Sequence, residues 1–191
     1  CAQISDGCAV LFLSSAEFAQ QHAQKQRRQS GYPAILGWGQ RSSPLPLAEK
    51  LPASHDRGLM FPHLQRTIAD ALQRARLQDA WQLDVIETHD CFTISEYLAL
   101  EHFALAPAGK GWQLIEDGVI EVGGRLPVNP SGGLIGAGHP VGATGVRMLL
   151  DAWRQVEGKA DSYQVEGARR AGCLNIGGSF SAVASFVVGY R

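Results

Sequence analysis

Three short stretches of this 191-residue chain hold side chains able to move protons or to stabilise developing charge. The first is His89-Asp90-Cys91-Phe92, between a strand-like run (Leu83–Thr88) and a helix starting at Thr93 or Ser95. In open α/β sheets, ligands sit at the carboxyl ends of strands. A helix N-terminus also lowers the pKa of a nearby thiol, so Cys91 reads as a thiolate or a ready proton donor. His89 reads as a donor to a developing oxyanion or as a holder of water. The plainer alternative is a buried structural cysteine beside a loop histidine, since small buried cysteines are common.

The second stretch is Asn129-Pro-Ser-Gly-Gly133 followed by Gly138-His139-Pro140-Val-Gly-Ala-Thr-Gly145. Its glycines allow positive φ and close backbone approach, so it forms a shaped loop leading into a helix. His139 lies just before Pro140, as suits the first turn of that helix. The helix dipole there favours a neutral imidazole, the form that acts as general base or donates to an anionic oxygen. A phosphate-binding glycine turn is the alternative, but neither the Walker pattern nor strand–GxGxxG–helix is present. The third stretch, Gly172-Cys173-Leu-Asn175-Ile176-Gly177-Gly-Ser179, joins two strand-like runs. Its glycines suit backbone N–H groups approaching a ligand, although taken alone it reads as a tight hairpin.

The remaining histidines carry less. His22 and His102 fall in helical stretches, His55 in a Pro-rich loop and His63 on a helix surface. No metal-ligand spacing joins them, and the four cysteines contain no C-x-x-C pair, so no metal is expected. Arg66, Arg74 and Arg76 read as a solvated helix face.

The elements that must position these loops are visible in the apolar pattern. Cys8–Leu13 is a continuous apolar run, expected as a strand, and Ser15 can cap a helix over about Ala16–Arg28. Tyr32–Gln40 reads as a strand, and Arg41–Gly58, with Pro44, Pro46 and Pro52, as a surface loop. Leu64, Ile68, Ala71, Leu72 and Ala75 recur with helical spacing after Phe61. A long helix follows His139 with Val141, Met148, Leu149, Ala152 and Val156 on one side, and Ala168–Asn175 and Phe180–Val188 read as closing strands. The order β-α-β-α-β-α-α-β-β implies an α/β layer fold.

Composition narrows the function class. Lys+Arg number 17 against Asp+Glu 18, for a net charge of −1, and 45% of the residues are hydrophobic. That balance argues against nucleic acid or an anionic membrane as partner. No stretch approaches a membrane span, and four cysteines fit a reducing compartment better than a disulfide scaffold.

The three loops, in this order, resemble the C-terminal half of thiolases over essentially the whole chain. Ile4-Ser-Asp-Gly7 before an apolar run looks like the segment that opens that half. His89-Asp-Cys-Phe92 is similar to the variant of the sterol-carrier-protein type, where other thiolases carry Asn-Glu-Ala-Phe. Asn129–Gly133 and Gly138–Gly145 look like the thiolase Gly-His-Pro block almost residue for residue.

The resemblance implies a five-stranded mixed sheet with helices on both faces, and acyl transfer between coenzyme A thioesters. A cysteine in the N-terminal half would be acylated by a 3-ketoacyl-CoA, and the acyl group would pass to CoA, the reverse being a Claisen condensation. His139 would activate that cysteine, His89 would serve the second oxyanion site, and Cys91 would be the acid/base. Gly138, Pro140 and Asn129 would shape the CoA and substrate loop. CoA would be a substrate, with no covalently bound cofactor.

Two departures stand out. Most thiolases carry their acid/base cysteine in a Cys-x-Gly pattern in the last loop, where this chain has Asn175-Ile176-Gly177 and places Cys173 two residues early. Cys91 therefore ranks above Cys173, while Asn175, Ile176 and Gly177 remain candidates for backbone contacts. The family's nucleophilic cysteine and most of the CoA-binding loop domain lie upstream of anything present. Residues 1–191 are thus expected to be a thiolase C-terminal domain, cut at Cys1 and inactive in isolation. It would pair with an N-terminal half in a homo-oligomer, in the cytoplasm or, in a eukaryote, the peroxisome. The rival expectations are a non-catalytic thiolase-like scaffold, with an OB-fold acyl-CoA-binding partner, and a thiolase-like retro-aldolase on steroid side-chain CoA esters.

Overall fold

Four strands form one mixed sheet in the computed structural model, which describes residues 1–25, 31–50 and 58–191. β1 (Pro33–Ser42), β2 (Val85–Thr88), β3 (Arg170–Gly177) and β4 (Ala182–Tyr190) lie in the order β1-β4-β3-β2. β4 runs antiparallel to both neighbours, and β2 pairs parallel with β3 from Val85–Ala171 to Thr88–Leu174. The helices are α1 (Ala16–Lys25), α2 (Leu47–Lys50), α3 (Pro62–Arg74), α4 (Thr93–His102), α5 (Gly111–Glu116), α6 (Gly133–Ala137) and α7 (Val141–Glu157).

The expected fifth strand is not found. Cys8–Leu13 joins no ladder among the described residues, and Val10, Phe12 and Leu13 stand exposed. A continuous apolar run makes a stable strand only beside another strand that takes up its backbone hydrogen bonds. The Pro-rich segment expected as loop contains the single turn α2, whereas Pro52, His55 and the end of the first helix at Arg27 and Arg28 lie outside the described residues.

Alternation along the strands sorts their side chains onto two cores. One face meets α3 and α4, where Leu64, Ile68, Ala71 and Leu72 pack with Leu100, Ile86, Leu174, Ile176, Val183 and Val187. The other lies under α7, where Val85, Ala171, Cys173 and Val188 pack with Ala152 and Val156. Pro62 opens α3 in its first turn, where a missing N–H costs nothing. α7 buries Met148, Ala152 and Val156 as its pattern requires, but its inner side also buries Thr144, Asp151 and Gln155. No described helix is long and apolar enough to cross a membrane.

Candidate catalytic site

The end of β2, the start of α7 and the end of β3 converge on two imidazoles. The rings of His89 and His139 meet edge-on, with centroids 5.0 Å apart. Each ring is fixed through its Nδ1. His139 Nδ1 lies 2.7 Å from Thr144 Oγ1, and that hydroxyl donates its proton to the Pro140 carbonyl at 3.0 Å. A hydroxyl has one proton, so Thr144 accepts from His139 Nδ1–H and leaves Nε2 with a free lone pair when the ring is neutral. His89 Nδ1 donates to Asn175 Oδ1 at 3.0 Å, which likewise leaves its Nε2 as the acceptor. Burial, reinforced by the neighbouring His139, pushes the His89 pKa down to about 4, so His89 is neutral near pH 7.

Asn175 reaches His89 because α7 comes close to the end of β3. A Cβ at Gly145 would collide with the Asn175 amide nitrogen, so glycine at this turn of α7 leaves room for the contact. The expected role of Asn175 was through its backbone; the structure engages its side chain. Ile176 turns into the α3-side core, and Gly177 is exposed and accepts from Ser181 N–H at the hairpin.

Cys91 is half-buried at the start of α4. Burial pushes its thiol above the usual range, against the expected lowering by the helix terminus, while a hydrogen bond with Ser95 opposes the shift. The group is therefore a protonated thiol and not a thiolate. Cys173 is placed elsewhere. Its side chain is 3% exposed beneath α7, its Sγ donates to the Met148 carbonyl at 3.4 Å, and burial raises its pKa well above normal. It shares a strand face with Asn175 but lies two residues deeper.

The Asn129–Gly133 loop is stitched to the β2 end. Asn129 Oδ1 accepts from Thr88 N–H at 2.7 Å, and Asn129 Nδ2 donates to Glu96 at 3.3 Å. Asp90 Oδ1 accepts from Leu134 N–H at 2.5 Å, and Gly133 lies so close to that carboxylate that a Cβ would clash with it. Gly138 adopts φ 90° before His139, and Pro140 precedes the first residue of α7. The N-terminal residues contact two of these turns. Ala2 N–H donates to the Cys91 carbonyl at 2.8 Å, and Ile4 forms a parallel bridge with His139.

Sequence reasoning missed Thr144, although it sits in the Gly-rich block one turn after Pro140. It also missed the loop-gripping carboxylates Glu87 and Asp90. His63, expected on a helix surface, is half-buried and hydrogen-bonds the Phe180 carbonyl at 2.7 Å. His102 is buried and accepts from Phe61 N–H at 3.1 Å, a structural role. Arg74 packs over the Trp38 ring, so that face is not purely solvated. Among the described residues, no three His, Cys, Asp or Glu side chains gather as a metal site.

Fold and site together define an α/β domain that presents a loop-borne histidine pair at the carboxyl ends of its strands. Residues 48–190 match the family described as thiolase C-terminal domain-like, and the chain belongs to that family. It is 34% identical over 182 residues to an acetyl-CoA acetyltransferase of Methanothermobacter thermautotrophicus, covering 94% of this chain and 44% of that protein. It is 35% identical over 192 residues to a sterol carrier protein 2 of Oryctolagus cuniculus, covering 100% of this chain and 34% of that one. The chain thus spans less than half the length of these relatives. The solved structure of an Ltp2-ChsH2(DUF35) aldolase shares the fold, with a TM-score of 0.70 and 22% identity over 87% of this chain and 42% of that one.

Proposed function

We propose that this chain is the C-terminal half of an acyltransferase acting on CoA thioesters, completed by an N-terminal half that supplies a nucleophilic cysteine. The observation that carries this is the His89–His139 pair, with both Nδ1 atoms engaged, which leaves each neutral ring its Nε2 as the acceptor. His139 Nε2 accepts the proton of the incoming thiol, and the thiolate attacks the 3-keto carbon of a 3-ketoacyl-CoA. The C2–C3 bond breaks, and the electron pair passes to the acetyl-CoA enolate. Cys91, held as a protonated thiol, gives that enolate its proton. Free CoA then loses its thiol proton to Cys91 and takes the acyl group, and the cysteine thiolate expelled from the acyl-enzyme recovers its proton from His139 Nε2. His89, with its proton committed to Asn175, serves the enolate oxygen through a water held on Nε2. Joined to a thiolase N-terminal half, the chain is expected to cleave acetoacetyl-CoA in the presence of CoA. A folded assembly that transfers no acyl group would refute this reading.

A second reading draws on one observation: the neighbours that act on the Cys91 thiol include Ser95 and Asp90 but neither imidazole. The histidine pair alone suffices for a retro-aldol step, in which a base takes the proton of a 3-hydroxyacyl-CoA and the enolate departs. Cleavage of such a thioester without added CoA would favour it over acyl transfer.

A further inference from the structure

Beneath the histidine loops lies a carboxyl group that the proposed chemistry does not use. Glu87, on β2, has no exposed surface. Its Oε2 accepts from the Ser131 hydroxyl at 2.6 Å and its Oε1 from Ser131 N–H at 3.3 Å, so one carboxylate holds one loop residue at two points. Ser131 Oγ in turn accepts from Gly133 N–H at 3.3 Å, and the next residue, Leu134, is the one tied to Asp90. Arg147 on α7 completes the enclosure by donating to the Gly133 carbonyl at 3.1 Å and pairing with Asp151 at 2.9 Å.

We propose that Glu87 is a positioning residue whose ionised carboxylate, by gripping Ser131, holds the Asn129–Leu134 loop at the depth where Asp90 and Asn129 fix the His89–Cys91 turn. The inference rests on the acyl-transfer reading for its effect on rate, but not for its effect on the imidazoles.

Ionisation matters because only the carboxylate accepts at both oxygens without a proton of its own. Protonated Glu87 must donate, and Ser131 Oγ, the oxygen within reach, then has to turn its own proton away. The groups facing Glu87 are Cys173 across the β2–β3 ladder, and Asp151 and Arg147 from α7. Burial is the main cause that raises its pKa, to about 7; Asp151 adds to the rise, while Ser131 and Arg147 oppose it. The grip therefore tightens as pH rises through neutrality.

The test compares wild type with Glu87→Gln and Ser131→Ala, each assembled with the half that supplies the nucleophile. Glu87→Gln keeps shape and removes the charge; Ser131→Ala removes the grip from the loop side and keeps the test open should the first variant fail to fold. For wild type, kcat for acetoacetyl-CoA thiolysis is expected to rise through about pH 7. Both variants are expected to lose about ten- to hundredfold in kcat above that pH, with KM within about twofold. Glu87→Gln is also expected to lose the inflection. A Glu87→Gln profile that keeps both the wild-type inflection and the wild-type rate would overturn the proposal. The second readout is independent of turnover: the imidazole ¹⁵N resonances of His89, which is itself neutral near pH 7, should show an inflection near neutral pH in wild type that Glu87→Gln abolishes. Its persistence in Glu87→Gln refutes the role of Glu87, whereas its loss in an assembly inactive as a transferase supports that role and refutes only the acyl-transfer reading.

Discussion

The Nδ1–H of His89 is taken by Asn175, a residue 86 positions later in the chain, at 3.0 Å. This contact ties the carboxyl end of β3 to the turn after β2, and it decides which nitrogen of His89 carries the proton when the ring is neutral. His139 is oriented by a different device, the Thr144 hydroxyl one turn into its own helix. Two neighbouring imidazoles from separate loops are thus each held by Nδ1, which leaves the same ring nitrogen as the acceptor on both.

Removing His139 tests the base. His139→Ala is expected to lower kcat by about 10²–10⁴-fold in the assembled enzyme, with loss of the acyl-enzyme burst. The ring is half-buried on a loop, so the melting temperature should change little. A wild-type burst in this variant would exclude His139 as the group that activates the nucleophile.

The two cysteines near the site separate by isotope exchange. Cys91→Ala should stop exchange of the acetyl-CoA C2 protons with deuterated solvent and should also slow acyl exchange between CoA thioesters, since both steps pass a proton through this thiol. Cys173→Ala should leave both reactions intact and cost about 1–2 kcal/mol of stability, because it vacates space beneath α7. The opposite pattern would transfer the acid/base role to Cys173.

Gly145→Ala distinguishes positioning from stability. In isolation, alanine favours the interior of a helix over glycine by about 1 kcal/mol. Here its Cβ meets the Asn175 amide and must displace it from His89. Activity should fall while the melting temperature holds or rises. Unchanged kinetics would show that Asn175 does not orient His89.

Stability against pH carries opposing contributions from His89 and Glu87. His89 drops from an ordinary 6.5 to about 4, so between those values the unfolded chain binds the extra proton and folding weakens as pH falls. Glu87 rises from 4.5 to about 7, so there the folded chain keeps a proton that the unfolded chain has lost, and folding weakens as pH rises. Each contribution is on the order of 3 kcal/mol, and the two offset each other where the windows overlap. Urea unfolding midpoints should therefore be nearly flat there in wild type. Glu87→Gln should show stability falling with acidification, and His89→Asn stability falling with alkalinisation.

Much of this was legible in sequence where a pattern is local. The α3 stripe, the length of α7 and the two closing strands follow from periodicity, and each lies within a few residues of its expected place. Cys8–Leu13 was misread because periodicity reports the demand for burial and not whether a neighbouring strand meets it. Thr144 and Glu87 were not legible as site residues, since a polar group on an apolar helix face or inside a strand has no local signature of its partner.

The types and order of the reactive groups were determined by the sequence alone: a histidine and a cysteine after one strand, and a second histidine before a long helix. Which of them share a space was decided only by the tertiary structure. Cys173 and Asn175 point to the same face of β3, and two residues along a strand move a side chain by about 7 Å. At this strand end the deeper position meets the carbonyl of Met148 and the outer one the ring of His89, so Asn175 joins the candidate site and Cys173 joins the core.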